Sequence, residues 1–256
     1  VADGHGARRH FRSAAGAWFA VEVACQAALR HAAGLAAMTR PTEVQAAVRS
    51  ELTPEIVRDW RIAVGRDVES DPFSPGETAS MAAGADTPEI PYGSTLLMGL
   101  VAGRWLVCLQ IGDGDIVVVA RDGQASIPVP GDPTLDGLRT TSLCQADALQ
   151  SFRDAVQDVT QDPVLAVLVV TDGYGNAQSD DPWHPRLGTD LADLLWREGP
   201  DWVAERLPEW AALCASSEGS GDDTTIGLIV NRCAARSKAP TASSTRDEAR
   251  TVTRSL

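Results

Sequence analysis

Four short acidic turns stand out along the chain: Asp3-Gly4, Gly112-Asp113-Gly114-Asp115, Asp172-Gly173 and Gly221-Asp222-Asp223. Each sets a carboxylate, with two oxygen ligands, beside a glycine that lets the backbone turn sharply. The last three lie at the edges of apolar, strand-like runs, where several strand ends can aim oxygens at one point. An all-oxygen cluster suits a hard divalent cation such as Mg²⁺ or Mn²⁺, whereas zinc usually takes His or Cys at ligand spacing. Two such cations about 3.5–4 Å apart can neutralise a phosphate group and acidify a water lying between them.

Each acid also has a plainer reading. Asp113 alone reads equally well as a hairpin aspartate. Asp222 and Asp223 are either a solvated acidic turn or the source of one ligand, from one or the other. Asp172 is harder to dismiss. It closes the apolar run 164–170, and an acid at the end of a strand buried on both faces is costly without a partner. His10, His31 and His184 belong to no motif and read as structural or surface residues. The tryptophans read as core or loop anchors. The sequence carries no P-loop, no full dinucleotide fingerprint and no Gly-x-Ser-x-Gly.

The elements that must hold these acids follow from periodicity. Residues 14–38 predict a helix, with Val21, Ala24, Cys25, Ala28, Ala32 and Leu35 on its apolar face. Pro41 suits the first turn of a second helix and Thr53-Pro54 starts a third. The stretch 66–91, with four prolines and several acids, predicts an exposed loop. Strands are predicted over 94–102, 104–111 and 115–121, with Gly112 to Gly114 as a hairpin turn. Residues 143–158 predict a helix, 164–170 a buried strand, 189–198 and 200–215 two helices, and 225–230 a last strand. One domain over 1–232 and a disordered tail over 233–256 complete the division.

Composition narrows the partners. The 256 residues sum to a net charge of −13, which disfavours nucleic acid and anionic membranes and suits a partner with a basic patch. No run of 18 apolar residues suggests a membrane span, and no signal peptide is evident. Five cysteines without metal-ligand spacing point to a reducing cytoplasm, with Cys25 and Cys108 as small core residues. Lys238 is the only lysine against 21 arginines, a skew expected of a GC-rich genome.

The four acidic motifs and their order, together with Tyr92-Gly93-Ser94-Thr95, resemble the metal-dependent protein phosphatases of type 2C, in a divergent bacterial branch. The resemblance runs from Asp3 to about Val230. It implies an α+β fold: a four-layer α-β-β-α sandwich of two mainly antiparallel sheets flanked by helix pairs. It implies hydrolysis of phosphoserine or phosphothreonine on proteins, opposing a bacterial Ser/Thr kinase, with two or three Mn²⁺ or Mg²⁺ ions. Asp3 then matches the aspartate bridging two metals, Gly4 the glycine whose carbonyl contributes, Asp172 and Asp222 further ligands, and Asp113 a ligand of a third metal. His5 matches a histidine proposed as general acid, a role suited to a side chain with a pKa near neutrality. The family normally begins earlier, with strands carrying a phosphate-binding arginine. Without them Asp3 is expected at a frayed terminus, so a misplaced start is expected. The competing reading is a non-catalytic phosphoprotein-binding or regulatory module on the same fold.

Overall fold

In the computed structural model, which describes residues 1–81, 87–132, 140–161, 163–179 and 182–236, two antiparallel sheets lie face to face between two groups of helices. The first sheet has the order β1-β2-β5, from Leu96–Ala102, Trp105–Ile111 and Arg153–Asp158. The second has the order β4-β3-β6-β7, from Ala125–Ser126, Asp115–Ala120, Val164–Val170 and Ile226–Val230. Strand β6 is buried along its whole length and is paired on both sides, so its continuous apolar run is what its position requires.

Three apolar clusters fill the three interfaces between layers. Helices α1 (Ser13–Ala37), α2 (Pro41–Ala47) and α3 (Thr53–Ser70) cover the first sheet through Leu35, Val44, Ile56, Trp60, Trp105 and Leu109. Leu97, Leu106, Cys108, Ile116, Val118, Val167 and Val169 meet between the sheets. Helices α7 (His184–Arg197), α8 (Pro200–Cys214) and α9 (Arg232–Ala235) cover the outer face of the second sheet through Leu191, Leu195, Val203 and Ala234. The expected α-β-β-α order of layers is therefore the observed one. Among the described residues no helix is long and apolar enough to cross a membrane.

Several local expectations are corrected. Within 143–158 only α5 (Ala148–Ser151) is helical, and Arg153 to Asp158 form β5, which among the described residues is an edge strand paired with β2 alone. Its charged residues, with Asp154 held by Arg49 at 2.6 Å, suit an edge that must not recruit another strand. In 66–91, α3 continues to Ser70, Pro75–Thr78 forms the short α4 and Ile90–Tyr92 a 3₁₀ turn, while 82–86 lie outside the described residues. The buried face of α1 runs through Gly16, Ala20, Val23, Ala24 and Ala27, and Val21 and Cys25 are exposed. At the other end Ala234 and Ala235 are buried in α9, so the tail expected from 233 does not start there, and 237–256 lie outside the described residues.

The supposed loop is ordered by one side chain. Arg12, just before α1, has only 11% of its side chain exposed and reaches Asp67 at 3.4 Å, Asp71 at 3.2 Å and Glu77 at 3.0 Å. It also donates to the Tyr92 hydroxyl at 2.9 Å and lies over the Phe73 ring. One cation thereby ties the end of α3, α4 and the entry to β1 to the segment that follows Asp3.

Candidate active site

The N-terminal residues are held as an extra strand beside β1. Val1 and Leu97 exchange backbone hydrogen bonds, the Asp3 carbonyl accepts from the Thr95 N–H at 2.8 Å, and the His5 N–H donates to the Gly93 carbonyl at 3.0 Å. The Asp3 N–H donates to the Thr95 hydroxyl at 3.0 Å, and Gly4 bridges Ser94. Asp3 is thus anchored by paired backbone, which corrects the expectation of a frayed terminus. The strip Tyr92-Gly93-Ser94-Thr95 is what it is anchored to.

Asp113 sits in the turn between β2 and β3. Gly112, at φ +105°, adopts the left-handed conformation that this turn needs. Its carbonyl accepts from Arg153 at 2.6 Å and from the buried Gln110 at 3.2 Å, and its N–H donates to the Thr141 hydroxyl at 2.9 Å. Asp172 opens the short helix α6 (Asp172–Asn176) directly after β6 and its Thr171 cap. The Thr171 hydroxyl accepts from the Thr225 N–H at 2.9 Å, and the Thr171 N–H donates to the Thr225 carbonyl at 3.2 Å. These bonds lace the end of β6 to the Asp222-Asp223 turn that leads into β7. Asp222 itself accepts from the Asp223 N–H at 2.9 Å.

These four attachments deliver Asp3, Asp113, Asp172, Asp222 and Asp223 to one cleft of about 620 Å³, with Gly4 and His5 also in its wall. Sequence reasoning missed the rest of the lining, which includes Arg9, Thr140, Ser142, Cys144 and Gln145. Only the closeness of Arg9 to Asp3 in sequence could have flagged any of them.

The electrostatics are those of crowded acids. Burial, then the charges of Asp172, Asp222 and Asp113, raise the Asp3 carboxyl to about 7. Asp172 is raised by burial and by Asp113 and Asp222. Both Asp222 and Asp223 line the cleft, and the charge of Asp222 acts on Asp3 and Asp172. Oδ1 of Asp172 is buried and has no hydrogen-bond partner among the described residues. Among the described residues no group of three or more acidic, His or Cys side chains is set closely enough to hold a metal ion. What fits a cation is the donor set: all oxygen, mutually repelling, with one buried oxygen left unsatisfied.

His5 fits its expected role less well. Burial, His10 and Arg9 depress it to about 4 against a smaller opposing pull from Asp113. At neutral pH it is a neutral imidazole, equipped to accept or relay a proton rather than to arrive carrying one. Its ring meets the His10 ring edge to face, centroids 5.0 Å apart.

The Asp3 shift gives a pH expectation. Its folded-state pKa of about 7 lies above the ordinary value of 3.8, so the folded state holds the proton more tightly. This contribution to stability is present below about pH 4 and is lost as pH rises toward 7. Metal-free protein should therefore melt at a lower temperature at pH 8 than at pH 5, and Asp3→Asn should flatten that slope. Melting curves of both proteins in chelator decide it, and equal slopes would show that Asp3 is not under this pressure.

Comparison with known proteins gives this geometry its relatives. The family model described as Protein phosphatase 2C matches residues 1–211. Among solved structures, PppA, a regulatory component of T6SS in Pseudomonas aeruginosa, is similar at 18% identity and a TM-score of 0.51, over 89% of this chain and 82% of that one. A bacterial serine phosphatase bearing one arginine-to-lysine substitution is similar at 14% identity and a TM-score of 0.53, over 89% and 82%. At such identities the likeness is one of fold. Among curated proteins the chain matches none.

Proposed function

We propose, from the premise that the chain belongs to the protein phosphatase 2C family, that it hydrolyses phosphoserine and phosphothreonine on proteins with the help of Mn²⁺ or Mg²⁺. The observation that carries the reading is the convergence of Asp3, Asp113, Asp172 and Asp222 in one cleft, with an unsatisfied buried oxygen on Asp172. Asp3, Asp172 and Asp222 would hold the cations, with the Gly4 carbonyl and Asp113 as further oxygen donors in the same cleft. Bound divalent cations supply two things there: neutralisation of the phosphate and a water acidic enough to attack it near neutral pH.

The chain's own part is positional. The paired backbone at Asp3 and the clamped turn at Asp113 fix carboxylates from both sheets, so little reorganisation remains when a substrate arrives. His5, neutral and half-buried next to Asp3 in the chain, is placed to pass a proton at the cleft wall. The phosphoprotein would be the product of a bacterial Ser/Thr kinase, and the chain's net charge of −13 favours basic residues around the phosphosite.

The test is turnover of a phosphothreonine peptide by the chain after chelation and after return of single metals. Mn²⁺ or Mg²⁺ should restore activity and Zn²⁺ should not. Turnover that persists in excess chelator rejects the reading. Saturable binding of the phosphopeptide without turnover in Mn²⁺ would favour the non-catalytic module.

A further inference from the structure

We propose that Arg9 grips the substrate's phosphate group and that His10 is the positioning residue that aims it, an inference that rests on the phosphatase reading of the cleft. Five aspartates line that cleft, and a phosphate dianion must enter it. Among the described lining residues Arg9 alone carries a permanent positive charge. It lines the same cleft as His5 and Cys144.

The guanidinium is held by one edge. Its Nε–H donates to Nε2 of His10 at 3.2 Å. His10 is buried, and its Nδ1 faces the Ile90 carbonyl, so Nδ1 carries the proton and Nε2 is left as an acceptor. The ring cannot shift toward the β1 side, because it packs so closely on Gly93 that a Cβ there would lie 2.5 Å from Nδ1. With Nε occupied, the paired terminal nitrogens remain. Among the described residues they have no hydrogen-bond acceptor and no carboxylate within ion-pair distance. A guanidinium in a cleft of aspartates that touches none of them leaves a gap, and its free edge matches two oxygens of a phosphate.

Arg9 is exposed at the rim, so its substitution should leave the fold intact. The readouts are KM and kcat for a phosphothreonine peptide, inhibition by inorganic phosphate, and Mn²⁺ affinity measured by titration without substrate. Arg9→Gln should raise KM and the phosphate inhibition constant about ten- to a hundredfold, as loss of a charge-assisted bidentate contact implies. Mn²⁺ affinity should stay unchanged. Arg9→Lys should recover part of the effect, because it restores the charge without the fork. His10→Leu should raise KM with Arg9 intact, and His10→Gln, which can still accept from Arg9, should recover it. KM and phosphate inhibition unchanged in Arg9→Gln overturn the proposal, as does a loss confined to kcat. A His10→Gln no better than His10→Leu removes the positioning role. Wild-type protein without turnover in Mn²⁺ fails the phosphatase reading itself, a result distinct from all of these.

Discussion

Asp172→Asn is expected to cut turnover of a phosphothreonine peptide by about a hundredfold or more while the metal-free protein stays folded. Asparagine keeps the shape of the side chain at the end of β6 and removes one negative charge. In the metal-free state that charge is a burden, since Asp113 and Asp222 press on it and one of its oxygens is buried without a partner. The melting temperature in chelator should therefore hold or rise, and the stabilisation given by Mn²⁺ should shrink. Opposite signs for activity and metal-free stability separate a ligand from a structural residue. Turnover within a few-fold of wild type would make Asp172 a turn residue and nothing more.

The second large effect concerns packing beneath the site. A Cβ at Gly16 would lie 1.8 Å from the Tyr92 carbonyl oxygen and 2.6 Å from its carbon. Backbone would have to move, because neither partner is a flexible side chain. The Gly16 carbonyl is also fixed from behind by the indole N–H of the fully buried Trp60 at 2.9 Å. Gly16→Ala should cost about 3 kcal/mol or more, a fall in melting temperature of about 6–12 °C for a domain of this size. Activity should fall further than the folded fraction does, since Tyr92 leads into the strip that anchors Asp3. Gly34→Ala in the same helix is the control. A Cβ there meets nothing within 4 Å, so the change should be neutral or stabilising. Equal melting of the two variants would show that α1 can back away from Tyr92.

What was legible in the sequence was whatever a short window specifies. The run 164–170 declared a strand buried on both faces and the glycine-flanked acids declared strand ends, while the four layers and the gathering of the acids at one end came from the family resemblance those motifs carry. What failed depended on distant partners. Arg153 to Asp158 reads as helix because its composition is polar and mixed, and only its place at the edge beside β2 makes it a strand. The stretch 66–91 reads as loop because Asp67, Asp71 and Glu77 look solvated until Arg12, far away in sequence, gathers them. The apolar face assigned to α1 was turned toward Val21 and Cys25 because the helix is rich in alanine on several sides, and a stripe of small residues marks no direction strongly. Arg9 escaped notice for a simpler reason. Its meaning lies in a hydrogen bond to a neighbouring ring and in a cleft that local periodicity does not describe.

The strand that carries Asp3 has a consequence for how the site comes into being. It pairs with residues 93–97, and the acids it faces come from the β2–β3 turn, the end of β6 and the turn before β7. The site is thus built from contacts that span most of the chain, the kind that close slowly because loop entropy must be overcome first. A ribosome that has released residues 1–170 has supplied most strands of both sheets and neither Asp172 nor Asp222. The acidic cluster is assembled last, so a partly made or partly unfolded chain does not present it, and the cleft takes shape only with the complete sandwich.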